Sequence, residues 1–273
     1  MTGASSGVVA SRVVASRRLR WMLLIAFTQW PVLVLVLRAA APSWNFPVLL
    51  PSAVPGVSGA TARGLLSPRL LSSGTMSLTL AIATGLAAAA IGFTIARGVL
   101  RTPHAVRRVA SMLMFFPVIA PPVALGVGLQ VLLLRAGLAS TVTGVWLSHL
   151  IPAVGYVTLY FLGVLSVDDT SRDEAARTLG ATVWETWWRV TVPALRRRLV
   201  EAAVLGGLVS WGQLALTLLV GGGVVRTMPV ELLAIIRSGD DHLASVAAIL
   251  LTIPPLIALS VLKGGAERTG VPA

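Results

Sequence analysis

Along the chain, apolar residues gather into six long runs separated by short, arginine-bearing stretches: Trp21–Ala40, Gly74–Ala96, Val109–Leu134, Val142–Leu165, Leu199–Val220 and Leu243–Leu262. A helix that crosses a bilayer needs about 20 predominantly apolar residues. Each run meets that length, so the pattern predicts an all-α integral membrane chain with six transmembrane helices. Their Gly and Ala content suits helices embedded in lipid, where every backbone group must bond internally. The third run holds Pro117, Pro121 and Pro122. Two outcomes stand for it: a tolerated kink, or a helix broken near the midplane, where transporters place substrate sites and gates. Between the first two runs, residues 42–73 are rich in Pro, Gly and Ser. That is long for a structureless loop, and a short surface helix is one reading of it. No solenoid-period repeat and no separate soluble domain is visible, so residues 1–273 read as one transmembrane domain.

Composition sharpens this. Hydrophobic residues make up 56% of the chain and charged residues 12%. About a quarter of a soluble domain is charged, which excludes a water-soluble globule. A mean hydropathy of +0.86 likewise excludes disorder. Arg17, Arg18 and Arg20 before the first run, and Ala39–Ala41 after it, imitate a signal peptide. The apolar run from Trp21 to Leu37 exceeds a usual signal core, which favours a retained helix. With the N-terminus inside, 16 of the 22 basic residues fall on the cytoplasmic side. That bias predicts both termini in the cytoplasm. The net charge of +12 is spread over several short loops with no single basic stripe, so nucleic acid is not an expected partner.

The segment Asp168–Arg198 is the most highly charged. Ser171 and Glu174 fit a capping box, as do Thr182 and Glu185. Gly180 lies between them, where a helix would end in a left-handed residue. Pro193 opens a further helix after a break. Trp184, Trp187 and Trp188 share one helical face and predict an anchor at the membrane interface. A short helix carrying the small Ala175 and Ala176 allows close approach of another chain, with charged neighbours to set orientation.

Glu174-Ala175-Ala176, then Gly180 after three residues, then Val190-Thr191-Val192-Pro193, closely resemble the EAA loop of ABC importer permeases. Val192 stands where Leu is commoner in that family. Ser210-Trp211-Gly212-Gln213, Leu218–Gly223 and Thr227-Met228-Pro229-Val230 resemble the tail of permeases in the sulfate, molybdate, polyamine, iron and thiamine group, with wording nearest to a thiamine-associated branch. The resemblance implies a type I importer permease fold and half of a dimeric pathway. It also implies a second permease subunit, of the same or a homologous chain, a cytoplasmic ABC ATPase dimer and an extracytoplasmic substrate-binding protein, set in the bacterial inner membrane. On that likeness Glu174, Ala175, Ala176, Gly180 and Pro193 form the ATPase-coupling site. Glu174 also reads as a plain helix cap, and the two roles are compatible.

Gln130, Ser210 and Gln213 are polar groups in apolar runs and, with Pro121 and Pro122, are candidates to line a pathway. Hydrogen bonds between helices are the competing reading for the three polar ones. Glu201 is expected at the cytoplasmic end of the fifth run, paired with nearby Arg. No catalytic residue, metal site or cofactor is expected. A phosphate loop needs Gly-Lys before Ser or Thr, and the only lysine, Lys263, precedes Gly264. His104, His149 and His242 form no HExxH pair, and no G-x-S-x-G is present. ATP hydrolysis would therefore lie on a separate subunit. The alternatives are a stand-alone carrier or channel, against which the nearly charge-free runs argue, and a membrane scaffold, which leaves the EAA-like loop unexplained.

Overall fold

The second apolar run begins its helix six residues early. Ser67 is the N-cap, its hydroxyl accepting from the Leu70 N–H, and Pro68 occupies the first turn, where a missing N–H costs little. In this computed structural model the described residues are 20, 21, 24, 27–41, 44, 48, 61, 64–167 and 171–267. Among them the helices are α1 (Phe27–Ala40), α2 (Pro68–Leu100), α3 (His104–Ile119), α4 (Pro122–Arg135), α5 (Val142–Val167), α6 (Ser171–Thr178), α7 (Val183–Thr186), α8 (Val192–Trp211), α9 (Ala215–Gly221), α10 (Met228–Ser238) and α11 (Asp241–Glu267). The first residues of α2 replace the end of the expected outer loop, and most of the remainder of that loop lies outside the described residues.

Contacts divide the chain into two units, Met1–Leu66 with Ile235–Leu250, and Ser67–Ala234 with Leu251–Ala273. In the first, the Ala39 carbonyl at the end of α1 accepts from Thr61 Oγ1 at 2.7 Å and lies 3.0 Å from His242 Nε2. Arg38 pairs with Asp241 at 2.9 Å.

The second unit is organised around α2. Its buried face carries Ser77, Ala81, Thr84, Gly85, Ala88, Gly92 and Ala96. Small residues at such spacing let helix backbones approach closely where lipid supplies no hydrophobic drive to association. At Gly85 the approach is tight enough to require glycine, because an added Cβ would sit 2.3 Å from the Ala203 carbonyl oxygen. A core then forms where α2, α5 and α8 meet, including Phe93, Val157, Phe161, Leu195 and Ala202. The Phe93 and Phe161 rings meet edge to face at 5.2 Å. A second cluster joins Leu80, Leu133, Val145, Val220 and Val225.

Among the described residues three helices are long and apolar enough to cross a membrane, Pro68–Leu100, Val142–Ser166 and Asp241–Ser260, or up to five if each of two bent pairs is one span. One bent pair falls in the third run and takes the second of its two expected outcomes, a broken helix. α3 and α4 meet at 98°. Pro121 and Pro122 each lack an N–H, and a residue before proline avoids the helical region. Ala120 and Pro121 accordingly adopt extended ψ values of 132° and 127°. Pro117 stays inside α3. The other bent pair corrects the fifth span: the helix that leads into it from Val183 ends at Trp211, and a second helix resumes at Ala215 with a 63° bend.

Pro193 does not follow a break. A π turn, Trp187–Thr191, joins α7 to α8. The wider turn lets the Val192 N–H reach the Trp187 carbonyl, which accommodates a proline inside a continuous helix. Another proline effect is compensated in α11. Pro255 cannot donate to the Leu251 carbonyl four residues back, and the Trp211 indole N–H does so instead, at 2.9 Å.

Gly85→Ala is expected to destabilise the detergent-solubilised protein by about 1–3 kcal/mol, read as a lowered thermal midpoint. Gly74→Ala is the control, since its added Cβ meets nothing within 4 Å. Equal midpoints for the two would show that α2 and α8 are not in tight contact.

Candidate functional site

The polar segment after α5 is built from α6, a glycine turn and α7. α6 ends as the sequence predicts. Gly180 has φ +90°, the Gly180 N–H donates to the Arg177 carbonyl and the Ala181 N–H to the Ala176 carbonyl. These are the two bonds of a Schellman cap. Space does not demand glycine here, since nothing lies within 4 Å of an added Cβ; the backbone conformation does. The Thr182–Glu185 capping box forms in both directions, with the Glu185 N–H 3.2 Å from Thr182 Oγ1 and the Thr182 N–H 3.0 Å from Glu185 Oε2. The Thr182 N–H, and then its hydroxyl, hold the Glu185 carboxyl below the usual carboxylate range. Glu185 precedes the apolar run beginning at Leu199. The Ser171 side chain lies outside the described residues, so the first box does too.

Asp173 anchors this segment. Arg97 of α2 donates to its Oδ2 at 2.6 Å, and Thr191 of the π turn donates to its Oδ1 at 2.9 Å. Asp173 lies in the most highly charged segment of the sequence, which offers it no evident partner. Its partners stand 76 residues upstream and 18 downstream, which no local spacing rule reaches. A cavity of about 290 Å³ opens beside it, lined by Phe93, Arg97, Arg101, Arg177 and Trp187 among others.

With Asp173 turned inward, Glu174 and Ala175 face outward and are exposed, while Ala176 is half-buried. Leu179 is 89% exposed and Val183 and Trp184 are each 68% exposed, so the outer face of the turn is largely apolar. The tryptophans do form one group, with Trp184 and Trp187 stacked and Trp188 edge-on to both. They do not act alike. Trp187 packs on the α2–α5–α8 core, whereas Trp184 and Trp188 are exposed. Pro193 is exposed in the first turn of α8. Glu201 takes Arg197 at 2.9 Å and Arg198 at 3.0 Å, as expected, and also accepts from the Tyr160 hydroxyl.

The candidate pathway residues part company. Pro122 and Gln213 line one cavity of about 480 Å³, with Val123, Gly212, Leu214 and Leu218 among its other walls. Two broken helices meet there. Gln213 supplies the one polar side chain of that lining. Pro121 is exposed at the bend but is not part of the wall, and Gln130 is half-buried farther along α4. Ser210 is buried with its Oγ 2.9 Å from His149 Nδ1, so it bonds between helices as the competing reading expected.

Residues 81–268 match the family model described as binding-protein-dependent transport system inner membrane component. The molybdenum transport system permease protein ModB of Mycobacterium tuberculosis is 25% identical, with 89% of this chain and 93% of that one covered. The sulfate transport system permease protein CysW of Synechococcus elongatus is 31% identical over 46% of each chain. The putrescine transport system permease protein PotI of Escherichia coli K12 is 28% identical over 62% of this chain and 63% of that one. Among solved structures, a chain of a bacterial alginate ABC transporter matches with a TM-score of 0.70 at 13% identity, covering 97% of each chain.

Asp173→Ala is expected to loosen α6 from α2 and the π turn by about 1–3 kcal/mol, the scale of hydrogen bonds to a charged group. Amide exchange over 173–181 should accelerate while exchange in the middle of α2 does not change. Unchanged exchange in both would show that Asp173 is not the anchor.

Proposed function

We propose, on the premise that the chain belongs to the binding-protein-dependent transport system inner membrane components and is a permease subunit of an ABC importer in the inner membrane, that the exposed face of α6 is where a separate cytoplasmic ATPase docks. The observation that carries this is the division of labour between neighbours. Asp173 is held inward by Arg97 and Thr191, and Glu174 and Ala175 are left exposed beside the apolar Leu179 and Trp184. A carboxylate next to small and apolar side chains suits a partner groove with a basic residue at one end. Gly180 sets the turn that presents the helix, and Ala176 and Pro193 belong to its supports.

On this reading the chain is a single permease domain with six spans and both termini in the cytoplasm. It works with a second permease subunit and an extracytoplasmic binding protein, and ATP is hydrolysed on the ATPase subunits. Closure of the ATPases would pull α6, and through Asp173 and the π turn would move α8. The cavity between Pro122 and Gln213 lies on the substrate pathway, since discontinuous membrane helices commonly border such routes. The relatives carry cargoes as unlike as molybdenum, sulfate and putrescine by name. A wall with Gln213 as its one polar side chain offers little to tell such cargoes apart, so selection falls mainly to the binding protein.

The test is a pull-down of the tagged chain from its native host in mild detergent. An ATPase subunit should come out with the parent chain and be lost with Glu174→Lys or Gly180→Pro, and ATP-coupled uptake should be lost with both variants. Proline cannot adopt the φ of +90° at residue 180. Retention of the ATPase and of uptake by both variants would sink the docking proposal, as would a parent chain that emerges alone under several detergents.

A further inference from the structure

His149 is completely buried in α5, and no step described so far uses it. Its Nδ1 is 2.9 Å from Ser210 Oγ and its Nε2 is 2.9 Å from Thr217 Oγ1. Ser210 lies in the last turn of α8 and Thr217 in the first turn of α9. The imidazole therefore bridges the two sides of the break at Gly212–Leu214.

The direction of the bonds can be assigned from Thr217. Its hydroxyl donates to the main-chain carbonyl of Gln213 at 2.7 Å. A hydroxyl has one proton, so toward His149 the Thr217 oxygen can only accept. Nε2 then carries the hydrogen, Nδ1 is the acceptor, and the Ser210 hydroxyl donates to it. The relay runs one way, Ser210 to His149 to Thr217 to the Gln213 carbonyl, and bonds aligned in this sense reinforce one another. Its last acceptor is a carbonyl at the break, where the regular helical ladder is interrupted.

We propose that His149 is a positioning residue that fixes the angle at which α9 leaves α8, and with it the place of Gln213 in the cavity wall. The far end of α9 has its own hold, the Ser140 N–H donating to the Val220 carbonyl at 2.8 Å. At the near end the buried Leu216 packs beside Gly126 of α4, and the relay supplies the polar hold. A mere staple between α5 and α8 would need only the Nδ1 bond to Ser210. Positioning of the break needs the Nε2 bond to Thr217, and this difference makes the two roles separable. The consequence for transport rests on the proposed pathway; the mechanical role does not.

Asn reaches about as far as Nδ1 of histidine, and Gln about as far as Nε2. In the purified full-length protein, with whatever subunits accompany it, His149→Asn should raise amide exchange over 213–220 about tenfold or more, because the buried Thr217 side loses its donor. Exchange over 202–208 of α8 should stay as in the parent. His149→Gln should keep 213–220 within about threefold of the parent. Thr217→Val, which keeps the shape of the side chain, should reproduce His149→Asn, and the double variant should add little. Thr217→Val alone decides the matter if His149→Asn does not insert. Parent-like exchange in Thr217→Val, or equal acceleration along α8 and α9 in both His149 variants, would overturn the proposal.

The pathway reading has a separate arm. The chain has no cysteine, and Gln213→Cys leaves the carbonyl acceptor in place. Reaction of that thiol with a small methanethiosulfonate reagent, at a rate changed by His149→Asn and not by His149→Gln, supports both readings. An unreactive thiol removes Gln213 from the pathway, and the exchange result still judges His149.

Discussion

The close approach of α2 to α8 is the constraint on which the rest of the second unit depends. With the Gly85 Cα facing the Ala203 carbonyl, neither helix can rotate without placing a larger side chain in a gap that admits only hydrogen. Phe93 and Phe161 fill the space where the helices diverge toward α5. Each functional feature is an extension of this seam. Near its C-terminal end α2 carries Arg97 to Asp173. α8 runs back through the π turn to the coupling segment and forward to the bend at Gly212.

A mechanical route follows from that arrangement. On the proposed reading, a pull on Glu174 reaches Asp173 within the same helical turn. From Asp173 it divides between the end of α2, through Arg97, and the π turn, through Thr191. The helix from Val183 to Trp211 is continuous, so displacement of its first turns is carried to the bend rather than absorbed on the way. The π turn is the irregular section at the start of that rod. Glu201, with Arg197, Arg198 and Tyr160, stiffens the next turns.

Much of this was legible in the sequence, and the residues that escaped share a physical reason. Hydropathy located the long helices because a window average reports burial in lipid. It carries no angle, so the 98° bend at Pro121–Pro122 and the 63° bend after Trp211 are properties of the packed fold alone. Gly180 and the Thr182–Glu185 box were readable because each is fixed by bonds within a few residues. Pro193 misled, because a missing N–H forces either a break or a widened turn, and local sequence does not choose between them. Asp173 and His149 stayed invisible as anchors, since their partners are set by how helices pack. The cavity gathered Pro122 and Gln213 but left Gln130 and Ser210 outside it, because polarity in an apolar run marks a need for a partner and not which partner fills it.

The bends pose a cost that the fold meets locally. Each interruption of a membrane helix frees carbonyls, and a group left unsatisfied away from water costs several kcal/mol. The chain answers with side-chain donors placed at the breaks. Thr217 serves the Gln213 carbonyl at the end of the fifth apolar run, and the Trp211 indole serves the Leu251 carbonyl that Pro255 leaves unpaired. Both donors flank the same bend, one on each side. Straightening α8 into α9 would draw Thr217 away from the His149 imidazole, which Ser210 holds from the other side of the break, and shift Trp211 from Leu251; the i to i−4 bond from Thr217 to Gln213 fits a regular helix as well. The bend is therefore a state with its own hydrogen bonds, distinct from a disordered kink. A transporter that alternates between two arrangements needs elements with discrete positions of this kind, and this one borders the wall of a cavity.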